Sequence, residues 1–387
     1  MKWIHDEACF SEDRIKERAK KHGFSDPVQV EYFLWDCEIA AQLQSESSDF
    51  ILKGGAAVQL YLPVEMQRGS IDIDIVCPFT EQEIVKVLSH IHERLQTVDF
   101  ARYTPKNPKK KIDMVTYIAK TPAIVSSEKE KPREIKIDFL LEDLNLPTET
   151  VGGVETFAVD VKKLRCYSIS ALLGDKLLTL AENTIGITEP ADIPKQVYDV
   201  SLLSEKHKPT QKHFSETIDV IGQLTPIEAG YRDLKLTSTD ALKDVGKTME
   251  KYGLLDTPGA DAGIKRNITI FQQIYVNISQ KRPWYEWCAR ALRIRFLSQL
   301  IEATIEKQTT AEKALNAYNS AIQTAEVLKT ISGEEVKSLN KKLLDSADTE
   351  IPYPKNLRGK PLNRVFWQVV SPENLNSIKD YVETKVS

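Results

Sequence analysis

Three features of the sequence predict an α+β protein in which a small mixed sheet is flanked by helices and followed by a mainly helical C-terminal region. Three segments, SIDIDIV (70–76), KIDMVTYIA (about 111–119) and EIKIDFLL (134–141), alternate polar with β-branched or aromatic residues at a period of two. Segments with helical spacing lie before and between them. Beyond Ser168 the helical pattern runs almost without interruption to about residue 345.

In chain order, residues 11–22 begin at Ser11, carry charge on most faces and stop at Gly23, which predicts a short surface helix with a C-terminal glycine. Asp26 followed by Pro27 opens a second helix. Val28, Phe33, Leu34, Cys37, Ile39, Ala40 and Leu43 give it an apolar face through about residue 44. FILKGGAAVQLYL, from Phe50, reads as strand, glycine turn and helix start. After the SIDIDIV strand, TEQEIVKVLSHIHERL is an amphipathic helix capped by Thr80. The two later strands are joined by a polar loop containing SSEKEKP. SISALLGDKLLTLAENTIG and IPKQVYDVSLLSEKH are then helical, and the tail holds the turn-rich IPYPKNLRGKP and a last amphipathic stretch from Pro372. The expected organisation is N-terminal bracing helices at 1–47, a sheet-containing core at 48–207 and a helical domain at 208–387, with the break at a His-Lys-Pro stretch between Lys206 and Thr210.

Composition narrows the function. With 41% hydrophobic and 28% charged residues in 387, disordered and fibrous classes are excluded. No run of about 18 apolar residues exists, and the first residues are acidic where a signal peptide needs an apolar stretch, so a cytoplasmic protein without membrane spans is expected. Five scattered cysteines with no C-x-x-C pair point to reduced, packed thiols and exclude a cysteine zinc site. A formal charge of -4 means that nucleic-acid contact would have to come from local patches.

The chemistry concentrates in Lys53-Gly54-Gly55-Ala56 and, after Arg68 and Ser70, in Asp72-Ile73-Asp74. Aspartates two apart on a strand share a face, about 6 to 7 Å apart. Such neighbours repel unless cations lie between them, and hard divalent ions prefer carboxylate oxygen. The plain alternative is an exposed acidic strand face. A glycine pair between strand and helix offers bare N–H groups to phosphate, or is only a tight turn; it fits neither the Walker A pattern nor G-x-G-x-x-G. Asp138, flanked by Ile135, Ile137 and Phe139, would complete a carboxylate triad if its strand neighbours the first, and Asp113 is its competitor. Three carboxylates beside a phosphate-holding turn suit two-metal phosphoryl or nucleotidyl displacement.

LKGGAAVQLYL, RGSIDIDI, IKIDFL and YSISALLGDKLLTLA, taken in order over residues 50–205, resemble the nucleotidyltransferases of the AbiEii/AbiGii toxin family, within the DNA polymerase β-like superfamily, and are similar to the MenT-type toxins that modify tRNA. The resemblance implies a polymerase β-like core in which Gly54, Gly55 and Ser70 seat the triphosphate. It also implies that Asp72, Asp74 and Asp138 ligate Mg2+, as a pair of ions, and that Asp138 draws the proton from the attacking hydroxyl. Lys176 and Asp199 match a further lysine and aspartate of the family. Read from the residues alone, Lys176 on its leucine-rich helix either snorkels to water or meets an anion, and Asp199 either pairs with Lys195 at i and i+4 or has an essential role. Arg68 either contacts phosphate or braces the strand. Lys53-Gly54-Gly55-Ala56 departs from the Gly-Ser turn of many superfamily members, which leaves Ser70 or Lys53 to replace that hydroxyl.

For the acceptor, the basic stretch Lys106–Lys111 and the segment from Lys281 through Trp284 and Trp287 to Arg290, Arg293 and Arg295 mix cations with aromatic rings, as phosphate contact and base stacking require. The alternative puts those tryptophans in the core. The resulting expectation is a Mg2+-dependent enzyme moving NMP from an NTP to an RNA 3'-hydroxyl, tRNA in particular, as the toxin partner of an antitoxin. Modification of a protein or small molecule, and a catalytically silent nucleotide-binding module, are the alternatives.

Overall fold

The computed structural model describes residues 2–104, 112–125, 131–142, 144–206, 210–347 and 354–386. It divides into two compact units, Met1–Leu172 with Ile270–Lys281, and Leu173–Thr269 with Arg282–Ser387. The His-Lys-Pro stretch lies outside the described residues.

The first unit opens with α1 (Glu12–His22), which ends on Gly23 in the left-handed region at φ 74°, a conformation open to glycine without strain. Asp26 Oδ1 accepts the Val28 N–H at the start of α2 (Val28–Glu46), 2.9 Å away. Most of α2 is buried, and two of its carboxylates, Glu31 and Glu38, are satisfied by hydrogen bonds. Glu31 accepts the Ile124 and Val125 N–H groups and the Arg133 guanidinium. Glu38 accepts the Ile4 and His5 N–H groups, the His5 ring and Gln42. The helix thereby braces both the chain start and the sheet.

The strands and their intervening helices are, in chain order, β1 (Ile51–Lys53), which runs directly into α3 (Gly54–Gln59), β2 (Asp72–Val76), α4 (Glu81–Leu95), β3 (Asp99–Tyr103), β4 (Met114–Thr121), β5 (Arg133–Leu140), β6 (Thr148–Val151), β7 (Val154–Glu155) and β8 (Asp160–Val161), which pair with each other as a separate hairpin, and β9 (Leu164–Tyr167). Seven strands lie in the order β3-β4-β5-β2-β1-β9-β6. The pairs β2–β5 and β1–β9 are parallel and the rest antiparallel, so the sheet is mixed. Alternation decides its faces. Ile73, Ile75, Val115, Tyr117, Ile137 and Phe139 are buried, and the Tyr117 hydroxyl donates to Glu81, which puts α4 on that side. Thr80 and Glu83 form a reciprocal cap at the start of α4, as the Thr80 signal predicts. The other face carries the polar residues of β2 and β5. The returning segment adds an isolated bridge between Arg68 and Val276, and the Gly69 N–H donates to the Tyr275 carbonyl at 2.8 Å.

The second unit is helical: α5 (Ile169–Thr179) from Leu173 onward, α6 (Ile193–Lys206), α7 (Gln211–Gly230), α8 (Ser238–Tyr252), α9 (Ala262–Ile274) up to Thr269, α10 (Trp284–Ile305), α11 (Ala311–Thr330), α12 (Glu335–Asp345), α13 (Pro354–Leu357), α14 (Leu362–Val369) and α15 (Leu375–Val386). The long helix α10 is buried along most of its length. Among the described residues no helix is long and apolar enough to cross a membrane, and all five cysteines are free thiols, four of them buried. The α+β architecture matches the sequence-based expectation.

Candidate active site

A single row of residues crosses the polar face of the sheet. Lys53 pairs with Asp74, Asp74 with Asp138, Asp138 with Thr116 and Thr116 with Tyr103, across β1, β2, β5, β4 and β3. Residues directly opposite each other on neighbouring strands share a face. Asp74 and Asp138 therefore stand side by side, with Asp72 two residues along the same face, opposite Lys136. Asp72, Asp74 and Asp138 are half-buried, the last two between fully buried apolar neighbours. Asp113 precedes β4 and is exposed, and Thr116 is the β4 residue in this row.

The glycine turn closes over this row. Gly54 has φ +69°, and a Cβ built there would lie 1.9 Å from Asp74 Oδ2, so the Asp74 carboxylate rests against the bare Gly54 backbone. A Cβ on Gly55 would lie 2.9 Å from Arg68 Nη2 and 3.4 Å from Ser70 Oγ. Gly54, Gly55, Arg68, Ser70 and Asp74 thus occupy one small volume. Arg68 and Ser70 are both buried. The Arg68 N–H donates to Gln59 Oε1 at 2.8 Å, and its Nη1 donates to the Gly69 carbonyl at 2.7 Å, so this arginine does brace the segment leading into β2.

Asp138 is held on both oxygens. Thr116 Oγ1 donates to Oδ1 at 2.6 Å, and Lys136 Nζ donates to Oδ2 at 2.5 Å. Burial opposes the charge on Lys136, but the hydrogen bond and charge of Asp138, with Asp72 and Asp74 further off, raise its pKa on balance. The donor set suits a hard divalent cation: three carboxylates on one face, two of them in direct register. They are not drawn together, however, and among the described residues no three His, Cys, Asp or Glu side chains are gathered to hold a metal ion. Asp74 and Asp138 stand in direct register, and the Lys136 ammonium lies at one Asp138 oxygen.

Two residues of this neighbourhood escape a sequence reading centred on aspartates. Lys136 was visible in IKIDF, two residues before Asp138 and hence on its face. Asp36, on α2, has no such signal. It is 1% exposed and neither oxygen has a hydrogen-bond partner. Burial above all, then the charges of Asp72 and Asp74, push its pKa well above the ordinary carboxyl range.

Lys176 and Asp199 lie in the second unit. Lys176 is 5% exposed, so it does not snorkel. Its Nζ donates to Gln196 Oε1 at 2.7 Å and lies 3.8 Å from Oδ2 of the fully buried Asp199. The anion it meets within the chain is Asp199, while Lys195 pairs with Asp192 at 2.8 Å.

The expected acceptor strip does not form as a basic, aromatic surface. Trp287 is buried. Arg293 is buried as well and donates to the Ser201 carbonyl and Glu205. Arg295 Nη2 reaches the carbonyls of Trp367, Gln368 and Val370 at the C-terminal end of α14, where backbone acceptors lack helical partners. The Arg290 guanidinium stacks over Tyr198 and Trp287, and Lys265 lies over Trp284. The reason is that α10 is buried along most of its length, so Arg293 and Arg295 satisfy internal acceptors and Arg290 packs on rings. Lys106–Lys111 lie outside the described residues.

A sequence model for a family described as nucleotidyl transferase AbiEii toxin, type IV toxin–antitoxin system, matches residues 39–249. No curated protein matches the chain. Among solved structures, the nucleotidyltransferase toxin MenT4 from Mycobacterium tuberculosis is similar at 16% identity and a TM-score of 0.44, over 80% of this chain and 99% of that one. JHP933 from Helicobacter pylori is similar at 16% identity and 0.40, over 81% and 99%. An antigenic nucleotidyltransferase-like protein from Paracoccidioides brasiliensis is similar at 13% and 0.33, over 54% and 94%.

Proposed function

The chain belongs to the AbiEii nucleotidyltransferase toxin family, and from that footing we propose that it transfers NMP from an NTP to the 3'-hydroxyl of an RNA, tRNA in particular, as the toxin of a toxin–antitoxin pair. The observation that supports the reading most is the row Lys53, Asp74, Asp138 under the Gly54-Gly55 turn. It sets the bare Gly54-Gly55 backbone, whose N–H groups suit phosphate oxygens, next to the carboxylates that in-line displacement requires.

In this reading the Gly54-Gly55 backbone, Ser70, Arg68 and Lys53 seat the triphosphate, and Asp72, Asp74 and Asp138 are the oxygen ligands for Mg2+, as a pair of ions. Magnesium, when bound, supplies charge to offset the phosphate oxygens and lowers the pKa of the attacking hydroxyl. Asp138 takes the proton as the hydroxyl oxygen bonds to the α-phosphorus; the bond to the bridging oxygen breaks and pyrophosphate leaves. Within the second unit, Asp199, 3.8 Å from the Lys176 ammonium, fixes that charge in its buried position.

The acceptor follows from the family resemblance. With Arg293 and Arg295 engaged inside the second unit, a protein or small-molecule acceptor is the second reading. The test is incubation of the full chain with each of the four α-labelled NTPs, Mg2+ and either total tRNA or a cell extract. Label on tRNA that is lost in Asp74→Asn supports the proposal. Label on protein moves the assignment to the second reading, and no label with pyrophosphate retained removes both.

A further inference from the structure

Lys136 stands where a divalent cation has to bind. It lies two residues before Asp138 on β5 and opposite Asp72 on β2, so all three side chains share the polar face. Its Nζ is 2.5 Å from Asp138 Oδ2, and Thr116 takes the other oxygen. The two partners differ in freedom. The Lys136 side chain is 42% exposed and that of Asp138 15%, so the lysine reaches in from solvent on a flexible stem while the carboxylate is fixed by packing and by Thr116. An ammonium bonded to Oδ2 and a divalent ion ligated by the same oxygen would repel each other at close range.

We propose that Lys136 is a placeholder cation: it neutralises Asp138 while no metal is bound, and a divalent ion must displace it from Oδ2 to load the site. The inference rests on Asp138 being a metal ligand and adds to it a positioning residue that acts through that ligand. Two consequences follow from the geometry. Repulsion at Asp138 in the metal-free row is offset by the Lys136 ammonium, and the affinity for the ion is lowered by the work of breaking the Lys136–Asp138 pair. Once displaced, the ammonium swings to the solvent side of the same face, beside Asp72.

The experiment is Mn2+ binding, followed by electron paramagnetic resonance without nucleotide, on the full-length wild type and on Lys136→Met, Lys136→Arg and Asp138→Asn. Lys136→Met is expected to bind Mn2+ about fivefold more tightly, the equivalent of ~1 kcal/mol for a partly exposed ion pair. Lys136→Arg, whose planar fork grips a carboxylate on two nitrogens, is expected to bind Mn2+ more weakly than wild type although its charge is unchanged. Metal-free Lys136→Met should melt lower than wild type and recover with Mn2+, which separates the effect from misfolding. If Lys136→Met binds no more tightly, or if Lys136→Arg equals wild type so that only distant charge counts, the placeholder role is overturned while Asp138 remains a ligand. If Asp138→Asn binds Mn2+ as well as wild type, it is the ligand assignment that fails.

Discussion

Replacing Gly54 by alanine adds one methyl group where the structure has no room for it. The new Cβ would stand 1.9 Å from Asp74 Oδ2 and 2.7 Å from Cγ, at a backbone φ of +69°. Contacts of a real Cβ do not fall below 3.0 Å, so the carboxylate has to retreat by at least about 1 Å. Two effects follow, and they differ in size. The left-handed backbone costs an alanine on the order of 1 to 2 kcal/mol, a tolerable loss of stability. A displacement of about 1 Å in a catalytic carboxylate costs on the order of a hundredfold in rate. Gly54→Ala is therefore expected to fold, with a modest drop in denaturation midpoint, and to lose about two orders of magnitude in NMP transfer from α-labelled NTP. Gly55→Ala is the comparison: its Cβ would meet the end of the Arg68 side chain at 2.9 Å, which can shift, and it should lose less. Full activity in Gly54→Ala, or greater damage from Gly55→Ala than from Gly54→Ala, would refute the assignment of the turn and of Asp74.

Three further expectations follow. Lys176→Met leaves the buried Asp199 carboxylate without its ammonium and should cost about 3 kcal/mol in urea unfolding, with Lys176→Met/Asp199→Asn less destabilised than the sum of the single changes; strict additivity would show that the pair is not coupled. At Glu38 burial opposes ionisation, but the His5 ring, the Ile4 N–H, Gln42 and the His5 N–H together lower its folded pKa. Its contribution is thus present above the ordinary glutamate range of about 4.3 and lost as pH falls through the lower folded value. Glu38→Gln should speed amide exchange at Ile4 and His5 at pH 7, and unchanged exchange would contradict this. Asp36 has the opposite sign: its folded pKa is raised, so ionisation costs stability as pH climbs past the ordinary aspartate value of about 3.9. Asp36→Asn in chelator should gain melting temperature over wild type as pH rises from 4 to 7, and a pH-independent difference would count against a strained carboxyl at that position.

The parts of the fold that could be read from sequence are those where burial is one-sided. β2 and β5 announce themselves because Ile73, Ile75, Ile137 and Phe139 alternate with the polar face. α1 ends where Gly23 allows a left-handed residue, and α4 starts where Thr80 and Glu83 cap it. β3 has no such signature, since as an edge strand it is exposed along most of its length, and β6 to β9 are two to four residues each. In the site, the sheet register puts Asp138 beside Asp74, as the triad requires; Thr116, across the strand, emerges only with pairing, and Lys136 can be placed on the Asp138 face already from the sequence, although its bond to that carboxylate cannot. Asp36 depends on which side of a nearly all-buried helix faces β2, which periodicity does not resolve. Arg293 and Arg295 look like a basic face because a sequence does not reveal which carbonyls at Ser201 or at the end of α14 await a donor.

The central claim is that Asp72, Asp74 and Asp138 together bind the divalent cations that an NTP substrate requires. A crystal structure of the protein soaked with Mn2+ and a non-hydrolysable NTP analogue, with the anomalous signal used to locate the ions, tests it most directly. Manganese bound to oxygens of all three aspartates, with the triphosphate against the Gly54-Gly55 backbone, is the result expected. Manganese elsewhere, or bound nucleotide with Asp138 still paired to Lys136 and no ion beside it, would contradict the account.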